Sequence, residues 1–207
     1  MKAIIFDVDD VLIDASVSRT VKYKLVFDEL NLEFNDSVKN LIESKNYSGV
    51  NWVVSHLDYS DDIKSKILKK YGDGTKVPLE FYPMVPGTSE NIKRLSEKYT
   101  LIAYSAAALD ITTEKLTYNN IHNYFTKLFC SNTGDSNQKE NNIKQAIEFL
   151  NSQGINNNEI SIVDDRIQAG IVLGKKYGIH RIRFNFGVHS TNEYVPDKII
   201  NSLSEIE

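Results

Sequence analysis

The sequence predicts an α/β protein: a parallel sheet with helices on both faces and a helical insertion. Three observations predict it. Short apolar runs recur along the chain, each ending in polar residues or a small loop. Helical patterns separate the later runs, and strands alternating with helices imply a parallel sheet covered on both sides. Residues 15–83 break that alternation with helical periodicity alone.

The runs are Ala3-Ile4-Ile5-Phe6, Thr100-Leu101-Ile102-Ala103-Tyr104, Lys127-Leu128-Phe129-Cys130, Ile160-Ser161-Ile162-Val163 and Arg181-Ile182-Arg183-Phe184. The first two are apolar at nearly every position, as strands buried on both faces should be. Thr88 is placed to cap a helix reaching Tyr99, with Ile92 and Leu95 inward. Lys139 to Gln153 carries Ile143, Ala146, Ile147 and Leu150 at helical spacing, with Gly154 as the stop. A further helix runs from Ala169 to Tyr177 and ends at Gly178. In the insertion, Val17, Val21, Leu25 and Leu30 mark one amphipathic helix. Val38, Leu41 and Ile42 mark a second, Trp52 to Leu57 a third, and Ile63, Ile67 and Leu68, opened by Ser60, a fourth. Pro83, Pro86 and Gly87 punctuate the exit. The expected division is residues 1–14 with 84–207 as one domain and 15–83 as the other.

Composition narrows the class of function. The 207 residues are 41% hydrophobic and 25% charged, enough for a sizeable core. Net charge is −4, which argues against a nucleic-acid binder with a basic face. Cys130 is the one cysteine, so no disulfide forms within the chain, and it reads as a small core residue. The opening apolar run meets Asp7 too early for a signal peptide, and no apolar stretch is long enough to span a membrane. The expectation is a cytoplasmic protein.

The polar residues fall at strand ends. Asp7 and Asp9 follow the first strand, and residues two apart in extended chain share a face. Ligands of open α/β sheets bind at the carboxyl ends of the strands. Adjacent carboxylates repel unless a cation or a proton compensates them. Ser105 closes the second strand, where a turn residue is also expected. Asp164 and Asp165 close the fourth. Lys139 opens a helix, where its charge opposes the helix dipole, a local conflict of the kind that marks function. Lys127 competes with it but lies within the third strand.

In this order the residues resemble the motifs of the haloacid dehalogenase-like hydrolases, of the type with a C1 cap (subfamily IA-like). Ile4-Ile5-Phe6-Asp7-Val8-Asp9-Asp10-Val11-Leu12 is similar to the first motif, Ser105 to the second, Lys139 to the third and Val163-Asp164-Asp165 to the fourth. Residues 45–57 are loosely similar to a cap segment in members of unassigned substrate. The sequence departs from the pattern at Asp10, where glycine is frequent, at Ala106, at Glu140 and near Ala169, where a further aspartate is frequent.

The resemblance implies a Rossmann-like core with an inserted helical cap, and a Mg²⁺-dependent phosphatase acting on a small phosphorylated metabolite. Asp7 would be the nucleophile and Asp9 the general acid and base. Ser105, Ala106 and Lys139 would bind the phosphoryl group. Asp7, Asp9, Asp165 and Asp164 would hold the metal, with Asp165 favoured as the direct ligand. Asp9 and the acid pair favour phosphate chemistry over dehalogenation. A phosphomutase uses the same residues, and a non-catalytic phospho-ligand binder would keep the fold. A receiver domain is shorter and lacks the insertion. In the cap, Arg19 and Trp52 are candidate substrate contacts, alongside Lys22, Lys24 and His56. A solvated helix face also accounts for the cations, core packing for Trp52 and surface exposure for His56. His122, His180 and His189 show no metal-ligand spacing.

Overall fold

The computed structural model describes residues 1–44, 49–72, 75–131, 139–185 and 195–207. The strands are β1 (Ala3–Asp7), β2 (Thr100–Ser105), β3 (Lys127–Cys130), β4 (Ile160–Asp164), β5 (His180–Phe184) and β6 (Lys198–Ile200). They form one Rossmann-like sheet in the order β3-β2-β1-β4-β5-β6, every adjacent pair parallel. β1 is central. The chain builds outward from it through β2 to β3, then returns to place β4 on its other side, so the strand order reverses between β1 and β4. Such a reversal opens a crevice at the carboxyl ends of the strands.

The apolar runs explain the centre of the sheet. All five residues of β1 and of β4 are buried. Side chains alternate across the sheet, so Ala3 and Ile5 share one face with Ile102, Tyr104, Ile160 and Ile162. Against that face packs α7 (Lys139–Ser152), through the predicted Ile143, Ala146, Ile147 and Leu150. Each of the isoleucine and leucine side chains among them is worth about 1.5–3 kcal/mol when fully buried.

Helix α5 (Thr88–Ser96) precedes β2. Its N-cap is Gly87, in the left-handed region at φ 80°, and not Thr88, which is buried in the first turn. Two elements lie outside the sequence reading. Helix α6 (Leu109–Tyr118) follows β2, and its buried residues are Thr112, Lys115 and Leu116. Two of the three are polar, so no apolar stripe announces the helix. Strand β6 is three residues long at the sheet edge, too short for an alternating pattern. After β4 the chain forms a π-helical turn, Ile167–Ile171, before α8 (Val172–Tyr177), where a single helix from Ala169 is the sequence expectation.

The chain divides into two compact units, Met1–Asp14 with Met84–Glu207, and Ala15–Pro83. The second unit holds α1 (Ala15–Glu29), α2 (Asp36–Ile42), α3 (Val50–Ser55) and α4 (Asp61–Gly72). Tyr23, Val26, Phe27, Val38, Ile42, Val53, Val54, Leu57 and Ile67 form its own core. No described helix is long and apolar enough to cross a membrane.

Candidate active site

Asp7 ends β1, and Tyr104 is its register neighbour on β2. On the other side Phe6 pairs with Val163, which sets Asp164 beside Asp7. The sheet register therefore assembles three acids. Asp7, Asp164 and Asp165 are all buried, and one carboxylate oxygen from each lies within 4.8 Å of the others. Beyond β1 the chain turns tightly: Leu12 and Ile13 N–H donate to Val8 O, and Asp10 N–H donates to Ile13 O at 2.7 Å. Asp10 adopts φ 63° there. That left-handed conformation suits glycine and, next, aspartate or asparagine, which accounts for an aspartate where the family often has glycine.

Asp164 is held from three sides. Its Oδ1 accepts from Arg166 N–H at 2.8 Å, and its Oδ2 accepts from Gly170 N–H at 2.9 Å and from the Tyr104 hydroxyl. The π-helical turn makes the Gly170 contact possible, and a Cβ at Gly170 would lie 2.3 Å from Asp164 Cβ. Such turns recur at functional sites.

Lys139 reaches the acids from the start of α7. Its Nζ pairs with Asp7 Oδ2, lies 3.9 Å from Asp164 Oδ2 and stands 5.4 Å over the Tyr104 ring. Lys127 points elsewhere, its Nζ over the rings of Phe129 and Phe149. Burial raises Asp7 from its ordinary value to about 7, with Lys139 opposing and Asp164 and Asp9 adding to the rise. Burial, then Asp164 and Asp7, likewise push Asp165 well above the carboxylate range. For Lys139, burial opposes the charge, but Asp164, Asp7 and Asp165 outweigh it and hold its pKa above the ordinary lysine value. Burial raises Tyr104 as well, followed by Asp164 and Asp7, so its hydroxyl remains a donor.

Ser105 ends β2, buried. Its Oγ accepts from Ala107 N–H at 3.0 Å, and its carbonyl accepts from Asn142 Nδ2 at 3.0 Å. Ala106 follows, half-buried. Asn142 lies on α7, so one buried amide ties the end of β2 to the helix that carries Lys139. Asp9 is partly exposed and meets a residue that sequence reading missed: Lys115 Nζ donates to Asp9 Oδ1 at 2.8 Å. Arg166, half-buried, adds a further cation. Burial opposes its charge, but Asp165 and Asp7 raise its pKa. The only sequence signal for Arg166 is its place after the acid pair. For Lys115 there is none.

Cys130 is half-buried at the end of β3, where burial raises its thiol and keeps it neutral. His180 is exposed at the start of β5 and His122 sits in a short 3₁₀ turn. His189 and residues 45–48 of the cap-like segment lie outside the described residues. In the helical unit, Arg19 and Trp52 are half-buried. Trp52 packs on the unit's core and stacks on exposed His56, with ring centroids 4.4 Å apart. Lys22 lies over the Tyr71 ring, and Lys24 pairs with Asp28.

The family model described as haloacid dehalogenase-like hydrolase matches residues 4–184. The chain belongs to that family. As a haloacid dehalogenase-like hydrolase, it resembles solved structures of the same fold over nearly its whole length. One is a haloacid dehalogenase-like hydrolase from Streptococcus pneumoniae, at 20% identity and a TM-score of 0.80, covering 100% of this chain and 96% of that one. Another is a predicted phosphatase from Clostridium acetobutylicum, at 18% identity and a TM-score of 0.75, covering 99% and 95%. A third is a HAD-hydrolase from Bacillus subtilis, bound to magnesium, at 18% identity and a TM-score of 0.70, covering 99% and 96%. At these identities the likeness is one of fold. No curated protein matches the hydrolase.

Proposed function

We propose that the chain is a Mg²⁺-dependent phosphatase that hydrolyses a small phosphorylated metabolite through an aspartyl-phosphate on Asp7. The observation that carries this reading is the meeting of Asp7, Asp164 and Asp165 at one strand edge with Lys139 on Asp7.

The donor set fits a hard divalent cation. Three buried carboxylates within 4.8 Å repel one another, and oxygen-only ligands suit magnesium. Asp7, the Asp9 backbone carbonyl and Asp165 would hold it. Asp164 already accepts from Arg166, Gly170 and Tyr104, which suits it to orient the site. Bound there, Mg²⁺ offsets the repulsion between the acids and a phosphate dianion.

The chain's own groups supply the steps. An Asp7 oxygen attacks phosphorus, forming the P–O bond of the aspartyl-phosphate as the bond to the leaving oxygen breaks. Asp9 gives that oxygen its proton. Water then attacks phosphorus, Asp9 takes the proton from it, and the bond to Asp7 breaks. Lys139 and the N–H groups after Ser105 stabilise charge on the phosphoryl oxygens. The unit of residues 15–83 is the cap, and Arg19 and Trp52 are its candidate substrate contacts.

The test is phosphate release from a panel of sugar phosphates, nucleotides, phosphoglycolate and an aryl phosphate, with Mg²⁺, with EDTA, and with Asp7→Asn. Release that needs the metal and vanishes in Asp7→Asn is expected, with the variant's circular dichroism unchanged. Wild-type turnover in that variant would refute Asp7 as nucleophile.

A further inference from the structure

Lys115 is hard to explain as a structural residue. It lies on α6, on the side of the helix that faces the protein, between buried Thr112 and Leu116. Its side chain is only 6% exposed. Burying an ammonium is costly unless it is paired, and a leucine would fill such a position at no electrostatic cost. Its ammonium lies 2.8 Å from Asp9 Oδ1, and the two residues are 106 positions apart in sequence. Asp9, by contrast, keeps a third of its side chain exposed.

We propose that Lys115 is a positioning residue for the reaction: by holding Asp9 Oδ1 it fixes the carboxyl group so that Oδ2 faces the reacting oxygen. This rests on the phosphatase reading, in which Asp9 handles the proton. An ammonium donates to a carboxyl oxygen whether the group is ionised or protonated, so one contact serves both halves of the cycle. A carboxyl on a strand-end turn otherwise samples several rotamers, and proton transfer needs heavy atoms within hydrogen-bond reach. Lys115 thus acts on the proton-transferring group, whereas Lys139 pairs with Asp7.

The experiment measures kcat and KM for p-nitrophenyl phosphate with Mg²⁺ in four proteins: wild type, Lys115→Met, Asp9→Asn and the double variant. A nitrophenolate leaves with little acid help, so kcat reports chiefly the attack of water, where Asp9 takes the proton. Lys115→Met is expected to lower kcat about tenfold or more, part of the roughly 10²–10⁴-fold that a positioned acid–base group contributes, and to leave KM nearly unchanged. In the Asp9→Asn background the same change should add less than about twofold, because its effect passes through Asp9. Lys115→Arg, which keeps a charged donor, should recover part of the loss.

Multiplicative losses in the double variant, or an unchanged kcat in Lys115→Met, overturn the proposal. Should Lys115→Met not fold, Lys115→Gln runs the same cycle. A crystal structure of the variant gives a readout independent of turnover. Asp9 displaced from its place sustains the proposal, and Asp9 unmoved overturns it. If wild-type protein releases no nitrophenolate, the cycle is run on whichever ester of the panel it hydrolyses; release from none of them refutes the phosphatase reading, and the structure of the variant then decides the positioning claim by itself.

Discussion

Tyr104 shows how one hydroxyl bears on the whole cluster of acids. It is fully buried, and its apolar body is part of the sheet core while its hydroxyl donates to Asp164. Tyr104→Phe keeps the packing and removes the donor. A hydrogen bond to a charged group is worth about 1.5–3 kcal/mol, so the variant should lose stability of that order in urea unfolding. Ordinary folded circular dichroism with an unchanged midpoint would show that the hydroxyl is not holding the acid. Of the residues that meet at this edge, Asp7, Asp164 and Asp165 were legible in the sequence because they close apolar strands, and Lys139 because it opens a helix against the dipole. Tyr104 was not, since an aromatic residue in an apolar strand reads as core until the register sets it opposite Asp7. Lys115 was hidden for the converse reason: a cation in a helix without an apolar stripe reads as solvated.

At the level of elements, two connections determine the site and its edge. The π-helical turn after β4 brings Gly170 N–H onto Asp164, and no side chain fits between them. Gly170→Ala should therefore cost about 1–3 kcal/mol as an overpacking change and weaken Mg²⁺ binding, read by calorimetric titration. Gly72→Ala, where a Cβ meets nothing within 4 Å, is the control and should leave binding unchanged. At the sheet edge, Arg181 grips Asp197 through Nε at 2.9 Å and Nη2 at 2.5 Å, and its backbone N–H adds a bond at 2.8 Å. The hydrogen bonds from Arg181 lower Asp197 from 3.8 to about 2. A depressed carboxylate pKa contributes stability above the unfolded value and loses it as pH falls through the folded one. Wild-type stability should thus decline between about pH 4 and pH 2 more steeply than that of Asp197→Asn, as urea midpoints across that range would show. The central strands were legible as apolar runs. The edge was not, because β6 is short and its anchor is an ion pair between residues 16 apart in sequence.

For the whole molecule, the sheet and the helical unit each have a separate core. A cation that binds only the folded sheet stabilises that unit by mass action, by about 2.7 kcal/mol at a hundredfold excess over Kd. Thermal unfolding of the wild type should shift upward with added Mg²⁺, saturably. Asp165→Asn should abolish the shift, whereas salt at matched ionic strength should not reproduce it. A shift that survives in Asp165→Asn would place the ion elsewhere.

The central position of β1 carries a consequence for how the protein is made. Ala3 pairs with Thr100 on one side and with Ile160 on the other. A strand made before both its neighbours must wait for partners synthesised about a hundred and then about a hundred and sixty residues after it. Until then Ile4, Ile5 and Phe6 have no sheet to enter, and long-range parallel pairing is slow and exposes the chain to aggregation. The helical unit, whose contacts are local, is free to fold first. The aspartates of β1 and β4 thus come together only once β4 has been made, and until then the apolar β1 lacks the neighbour that buries its second edge.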